Sequence, residues 1–196
     1  YSLDHVKHKL DRTEITNDTK IHLIQGDVLN IPIKNSEFDL VFSDGVIHHT
    51  ESVHKGLMEL SSKLKESGKC FVFVYSHDHK NIFDKSLYNL FRFLRTVTLR
   101  IPHKILHLLC YLLSPFHFIS VRIVNKLVGK ERFRERTLKE TEISLFDSLS
   151  PVYDWRTSFE DLSSWYSKLG FEEIKKTYFS HVGIGVIGTL KKQKNQ

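Results

Sequence analysis

Short apolar runs alternate with a helical pattern in the first third of the chain. Three of these runs have the length of strands: residues 21–24, 38–43 and 70–75. The third run is continuously apolar, which is typical of a parallel strand buried on both faces. Between the second and third runs, residues 50–65 place apolar side chains at helical spacing, and Gly68 follows as a natural helix end. The pattern predicts a strand, a helix and a parallel strand joined by a right-handed crossover.

The two ends of the chain carry a second set of predicted elements. Residues 1–12 have apolar positions at helical spacing, which predicts a short helix. Thr157 and Glu160 match a capping box, so we expect a helix that runs from there to Lys168 and ends at Gly170. Residues 172–180 and 182–190 have the pattern of two strands. Their connection is so short that they must form an antiparallel hairpin.

Composition and charge divide the chain further. Its 196 residues, with 40% hydrophobic and 27% charged side chains, fit one globular domain, and two cysteines indicate a reducing, cytoplasmic setting. Residues 76–140 hold 13 Lys and Arg against 5 Asp and Glu, a surplus of 8, whereas the whole chain has a net charge of +6. We therefore expect three segments: residues 1–75, a basic helical insert at 76–148, and a last helix with its strand pair at 149–196.

The insert is apolar as well as basic. Residues 105–121 hold no Asp, Glu, Lys or Arg, but Ser114 and Pro115 interrupt the run, which favours a buried or interfacial helix over a membrane span. Two interpretations stay open: a helical lid over an acceptor pocket, or peripheral contact of residues 87–134 with an anionic membrane surface. Nucleic acid is not expected as a partner, because the basic residues alternate with bulky aliphatic side chains.

Small and polar residues follow the predicted strands, where open α/β sheets bind their ligands. These residues are Gly26-Asp27-Val28, Ser43-Asp44-Gly45 and Tyr75-Ser76-His77. Asp27 would accept a hydrogen bond from a ligand amine or hydroxyl, and the alternative for it is an Asx turn. His77 and His79 suggest a metal site together with His48, but a solvated loop is the preferred interpretation, and no metal is expected.

The motifs between residues 21 and 75 occur in a familiar order. They are Gly26-Asp27, Ile31-Pro32, Phe38-Asp39-Leu40-Val41-Phe42-Ser43, Gly45-Val46-Ile47-His48-His49-Thr50, Leu64-Lys65-Glu66-Ser67-Gly68-Lys69 and Phe71-Val72-Phe73-Val74-Tyr75. This order resembles class I S-adenosylmethionine-dependent methyltransferases, in particular the small-molecule branch called type 11. The chain departs from that pattern at Glu66-Ser67, where Pro-Gly is usual. The resemblance implies an α/β fold with a Rossmann-like sheet in the order 3-2-1-4-5-7-6. This chain would hold strands three to seven, the last two as an antiparallel hairpin.

The resemblance also implies S-adenosylmethionine as the cofactor and a role for individual residues. Asp27 and Val28 would lie at the adenine, Ser43, Asp44 and Gly45 beside the methionine part and the methyl group, and His48 and His49 at the acceptor pocket. A histidine there would take the acceptor's proton, because the imidazole pKa lies near neutrality. In the alternative interpretation, one of the pair caps the next helix and packs against the core.

Residues 149–157 resemble a segment that passes over the acceptor site in the same branch. From this resemblance, Tyr153 and Arg156 are expected to bind the acceptor. The alternative is that Tyr153 and Trp155 only fasten the loop to the core.

The family's glycine-rich loop and its ribose-binding acidic residue do not occur in these residues. The resemblance therefore implies a fragment truncated at its N-terminus. The intact parent is expected to transfer a methyl group from S-adenosylmethionine to a small or lipid-like acceptor. The fragment alone is expected to be inactive and unable to bind the cofactor, and to be poorly soluble or to fold only from about Phe38 onward. The alternative is a non-catalytic binding module whose insert contacts a membrane or a partner protein. The expected location is cytoplasmic, with peripheral membrane association as an addition.

Overall fold

A four-stranded sheet organises the protein. The computed structural model describes residues 3–10, 20–76, 82–128, 135–179 and 183–192. Its elements are α1 (Leu3–Leu10), β1 (Phe38–Asp44), a short 3-10 helix (Ile47–His49), α2 (Val53–Ser62), β2 (Leu64–Tyr75), α3 (Ile82–Thr98), α4 (His103–Val128), α5 (Leu138–Leu149), α6 (Phe159–Lys168), β3 (Phe171–Phe179) and β4 (Gly183–Leu190).

The strand order in the sheet is β1-β2-β4-β3. β1 pairs with β2 in parallel, as the strand, helix and strand pattern predicted, and α2 lies between them in the chain. β4 pairs antiparallel with both β2 and β3, so the predicted hairpin is confirmed. The fold is therefore α/β and Rossmann-like, and the order matches strands four, five, seven and six of the expected methyltransferase sheet.

The strand predicted at residues 21–24 is wrong. Residues 20–26 have no regular secondary structure and are exposed, and only an isolated bridge between Asp27 and Asn30 follows them. The physical reason is the lack of a partner, because no described strand pairs with the outer edge of β1. A strand forms only where a neighbour accepts and donates its backbone hydrogen bonds.

The boundary between α2 and β2 also differs from the prediction. The helix ends at Ser62 and not near residue 65, and β2 begins directly at Leu64. The strand then bulges, because Ser67 has a φ of 63° and the register with β1 shifts between Phe38 and Leu40. Gly68 fits this bulge, since a β-carbon there would lie 2.9 Å from the Lys65 carbonyl oxygen.

The N-cap of helix α6 lies one residue later than predicted. Ser158, and not Thr157, is the N-cap, and its hydroxyl accepts a hydrogen bond from the Asp161 backbone N–H at 3.0 Å. A capping box does occur in the chain, but at the start of α5, where Thr137 and Glu140 bond to each other's backbone. The predicted end at Lys168 is confirmed, and Gly170 follows with a φ of 85°.

Helices α2 and α6 cover one face of the sheet and form the main core with it. The largest members of this core are Ile47, Leu57, Leu64, Leu162, Tyr166 and Ile184. On the opposite face Phe42 stacks on Phe71 with ring centroids 4.7 Å apart, while Leu40 and Phe42 stay exposed. Apolar burial is therefore one-sided at β1 in the described part of the chain.

The described part of the basic middle segment forms helices α3, α4 and α5. Leu106 and Cys110 of α4 pack with Leu149 of α5 in a second, smaller core. Pro115 lies inside α4, which continues on both sides of it. A proline removes the N–H that would bond to the carbonyl four residues earlier, and here the Ser114 hydroxyl donates to that Tyr111 oxygen at 2.9 Å.

Candidate active site

The carboxyl ends of β1 and β2 lie side by side at one edge of the sheet. Ser43 and Asp44 end β1, and Gly45 leaves it with a φ of 74° while its N–H donates to the Phe73 carbonyl at 3.1 Å. A side chain is unfavourable at this φ, which explains the glycine. The turn delivers the chain directly into the short helix that carries His48 and His49.

His48 is enclosed between two rings. Its imidazole is 0% exposed, and its centroid lies 3.9 Å from the Tyr75 ring and 4.1 Å from the His49 ring. Burial, together with the smaller effect of the neighbouring His49, lowers the pKa of His48 to about 3. The ring is therefore neutral at physiological pH. Both of its nitrogens, like the buried Ser43 Oγ, lack a hydrogen-bond partner within the described ranges.

His49 makes a hydrogen bond that fixes its tautomer. Its Nδ1 lies 2.9 Å from the Tyr153 carbonyl oxygen, which can only accept, so Nδ1 carries the proton. In the neutral ring the lone pair is then on Nε2. The ring is half-buried and meets Tyr75 edge-on at 5.5 Å. His49 thus presents a basic nitrogen beside the buried His48.

Residues 151–158, which we call the strap, cross this end of the sheet. The Trp155 N–H donates to the His48 carbonyl at 3.0 Å, and the Thr157 N–H donates to the Tyr75 carbonyl at 2.9 Å. The Trp155 indole donates to the Thr50 carbonyl at 2.9 Å. The fastening by Trp155 belongs to the alternative interpretation of the segment, and its passage over an acceptor site stays a prediction.

The strap is held from its other side by α3. Arg95 Nη1 lies 2.7 Å from Asp154 Oδ2, and the Asp154 side chain is only 2% exposed. Arg156 lies 4.0 Å from the same carboxylate, donates to the Ser76 carbonyl at 3.1 Å and places its guanidinium 4.0 Å above the Tyr88 ring. Sequence reasoning missed Arg95 and Asp154, because an ion pair between distant segments leaves no local pattern.

The predicted substrate residues Tyr153 and Arg156 are both near the histidines. Tyr153 is partly exposed and bonds to His49 through its backbone, while its ring stacks on Trp155 at 6.4 Å. Arg156 has structural contacts on three sides. Their roles toward an acceptor stay predictions.

Asp27 and Val28 lie apart from the histidines, in a turn beside α2. Asp27 Oδ1 accepts a hydrogen bond from the Leu29 N–H at 2.9 Å, so the Asx turn of the alternative interpretation is present. Val28 packs partly against the core, and the Ile31 N–H donates to Glu59 of α2 at 2.9 Å. Asp27 is exposed, and its contact with an adenine stays a prediction.

A cofactor at this edge would meet groups that suit a small polar ligand. Ser43 offers a buried hydroxyl without a partner, and at Gly45 no atom lies within 4 Å of where a side chain would begin. These features fit the close approach of a ligand to the backbone. Over the residues that the structure describes, no group of three or more His, Cys, Asp or Glu could hold a metal ion; His77 and His79 lie outside them.

Comparisons with known proteins agree with the motifs. Residues 1–72 match the family model described as a methyltransferase domain. A candidate methyltransferase of Encephalitozoon cuniculi is 36% identical over 62 residues, which are 30% of this chain and 30% of that protein. The chain thus spans less than a third of this curated relative.

Two solved structures superpose on most of the chain. A protein of Bordetella parapertussis superposes with a TM-score of 0.50 at 10% identity, over 97% of this chain and 50% of its own. An S-adenosylmethionine-dependent methyltransferase of Thermotoga maritima has a TM-score of 0.48 at 17% identity, over 87% of this chain and 65% of its own. Residues 1–72 are thus similar to the methyltransferase domain family, and the strand order of the sheet agrees with that similarity.

Proposed function

We propose that this chain is part of an enzyme that transfers a methyl group from S-adenosylmethionine to a small acceptor. The observation that carries the proposal is the family match over residues 1–72, which includes the end of β1 and the two histidines. The bound cofactor would supply an electrophilic methyl group on a cationic sulfur. Ser43, Asp44 and Gly45 are the residues that would hold its methionine part.

The two histidines have different tasks in this proposal. A group whose pKa is about 3 does not retain a proton at neutral pH, so the buried His48 stays neutral and positions the His49 ring, whose centroid lies 4.1 Å from its own. His49 Nε2 takes the proton that the acceptor's nucleophilic atom loses, since its Nδ1 is already committed to Tyr153. Holding both reactants in contact supplies most of the rate enhancement for such a displacement.

We propose further that the acceptor is lipid-like and that the enzyme acts in the cytoplasm at a membrane surface. Both points are supported by the large apolar side chains that α3 and α4 leave exposed, among them Phe93 and Phe116. The strap links α3 directly to the histidines through Asp154 and the Trp155 N–H. An acceptor delivered along the insert would therefore arrive beside His49.

Methyl transfer is tested with labelled S-adenosylmethionine and phospholipid or small-amine acceptors, using the full-length gene product that contains this chain. We expect His49→Gln to lower kcat at least tenfold with little change in KM for the cofactor, since it removes a proton acceptor and not a cofactor contact. His22→Gln, an exposed histidine away from the site, is the matched control. Absence of turnover together with binding of vesicles would favour the non-catalytic module instead.

A further inference from the structure

Helix α4 has one face that packs inside the protein. Leu106, Cys110, Ser114 and Asn125 are buried, and they recur at the spacing of a single helix face. This face lies against α5, where Leu149, Thr141 and Glu142 are also buried. His107 Nε2 contacts the Glu142 carboxylate at 3.3 Å and fixes the pairing.

The opposite face of α4 is apolar and exposed along most of its length. Its central residues are Ile105, Leu112, Phe116, Ile119 and Ile123, which recur at intervals of 7, 4, 3 and 4 positions. Phe116 is 73% exposed. Single exposed apolar residues are ordinary, but a continuous row of this kind marks an interaction surface.

Cations line one edge of this apolar row. Lys104, Arg122 and Lys126 share a helical edge between the buried and the exposed faces, and α4 contains no Asp or Glu. A shallow depression beside this edge, between α4 and α5, is lined in part by His117, Arg122 and Arg136. The charge is therefore suited to an anionic partner surface.

The packing of α5 decides how α4 would meet a membrane. By length and composition, residues 103–127 could cross a bilayer, with a mean hydropathy of 1.4. A spanning orientation would carry α5, with Lys139, Glu140 and Asp147, into the hydrocarbon, because α5 packs along the buried face. Charged side chains there are costly. A helix with an apolar face, a basic edge and a covered back instead lies flat in the interface.

We propose that the exposed face of α4 is an in-plane docking surface for an anionic lipid bilayer. Its apolar row enters the boundary between headgroups and acyl chains, and Lys104, Arg122 and Lys126 meet the lipid phosphates. This inference goes beyond methyl transfer and does not depend on it. Binding to vesicles needs neither cofactor nor turnover.

The test is sedimentation of the full 196-residue chain with two kinds of vesicle. One kind contains phosphatidylcholine alone, and the other contains phosphatidylcholine with about 30–40% phosphatidylserine. We expect binding to the anionic vesicles that weakens with salt. Leu112→Glu with Phe116→Glu should abolish it, whereas Met58→Glu, a 47% exposed apolar residue on α2, should not. Circular dichroism of each variant verifies that it folds. If the Leu112→Glu and Phe116→Glu double variant binds the anionic vesicles as well as the wild type does, the proposal is overturned.

A second variant set tests the charge. Lys104→Gln, Arg122→Gln and Lys126→Gln together should weaken binding by about 100-fold, since each basic residue near an anionic surface contributes about fivefold. The matched control is Lys168→Gln, Lys175→Gln and Lys191→Gln, which removes the same charge from exposed positions of the sheet side. Equal losses of vesicle binding in both variant sets would contradict a specific role of the basic edge of α4.

Orientation is measured with a polarity-sensitive probe on single cysteines placed at Leu108, Phe116 and Ile123. Lipids with a bromine near the headgroup should quench all three positions to a similar extent. Quenching of the Phe116 position from the bilayer centre alone would show a spanning helix. Light scattering without lipid that shows a stable dimer, lost in the Leu112→Glu and Phe116→Glu double variant, together with no vesicle binding, would identify a second copy as the partner. Either result overturns the proposal.

Discussion

The imidazole of His48 is fully buried between Tyr75 and His49, and this position determines its protonation. A proton on it would be a charge without a hydrogen-bond partner among the described residues, with Arg156 adding repulsion and only Asp154 opposing it. The native state therefore binds this proton only near pH 3, whereas the unfolded state binds it near pH 6.5.

This difference predicts the direction of a pH dependence. Between pH 6.5 and about 3 the unfolded chain holds one more proton at His48, so the free energy of unfolding falls as the pH falls. The slope from this group is up to about 1.4 kcal/mol per pH unit. Urea denaturation at pH 7, 6 and 5 measures it, and His48→Phe should lose this component. An unchanged slope in the variant would show that His48 is solvated.

The carboxylate of Asp154 is the second residue with an unusual environment, because it is buried against two arginines. We expect Arg95→Met to lower the free energy of unfolding by about 3 kcal/mol, since a buried charge loses its near partner. The double variant Arg95→Met with Asp154→Leu should recover most of that loss. A double-mutant cycle by chemical denaturation measures the coupling energy. If the effects of the two single substitutions simply add up in the double variant, Arg95 and Asp154 do not stabilise each other.

At the scale of single elements, β4 contains three glycines in eight residues and still lies in the middle of the sheet. The reason at Gly188 is space, because a β-carbon there would lie 2.8 Å from Tyr166 Cδ1. The Tyr166 ring is fully buried, and its hydroxyl donates to the Cys70 and Val186 carbonyls at 3.3 Å, so it cannot move away cheaply.

Gly188→Ala should therefore destabilise the protein by about 1–3 kcal/mol, the usual range for overpacking a core. Thermal unfolding followed by circular dichroism measures the effect. The same substitution in a Tyr166→Leu background is the control, and there the penalty should be small. If Gly188→Ala destabilises both backgrounds equally, the contact with Tyr166 is not the cause of the destabilisation.

Elements with a strong internal period could be predicted from the sequence. The amphipathic row in α2 and the apolar run in β2 identified the parallel pair, and the short link before β4 identified the hairpin. The run at residues 21–24 was misjudged, because a strand depends on a partner that no local pattern reveals. At Pro115 of α4, the Ser114 hydroxyl donates to the Tyr111 carbonyl that the proline leaves without its usual partner, and periodicity does not reveal such a contact.

The residues of the candidate site could be predicted only in part. His48, His49 and Ser43 stand out because they follow a strand directly, where ligands of α/β sheets bind. Asp154 and Arg95 come from segments far apart in the chain, and only the fold brings them together. Asp27 shows that a motif residue can be engaged in its own turn.

At the scale of the whole molecule, burial is asymmetric across the sheet. Phe38, Leu40 and Phe42 alternate along β1 and are all exposed, and no described strand pairs with its outer edge. An exposed apolar edge of this kind is a template for pairing with other chains. The poor solubility expected from the sequence stays a prediction.

We expect the wild-type chain to associate with increasing concentration. Leu40→Lys with Phe42→Lys should reduce that association, because charges on an edge strand oppose pairing. Light scattering over a concentration series measures it. Met58→Lys, which places a single positive charge on α2, is the control and should leave the association unchanged. Equal effects of both substitutions would indicate a general charge effect.

The strap has a further consequence for how the protein loses its structure. Arg95 donates to the Ser148 carbonyl and pairs with Asp154, and the next residue, Trp155, bonds to His48. The helical segment and the sheet thus share one set of buried polar contacts, so neither can melt without exposing the other. We expect a single cooperative transition in calorimetry and matched hydrogen-exchange protection in α5 and β2. Removal of α3 would leave the buried Asp154 carboxylate without its near partner Arg95, so we expect its excision to destabilise the sheet as well.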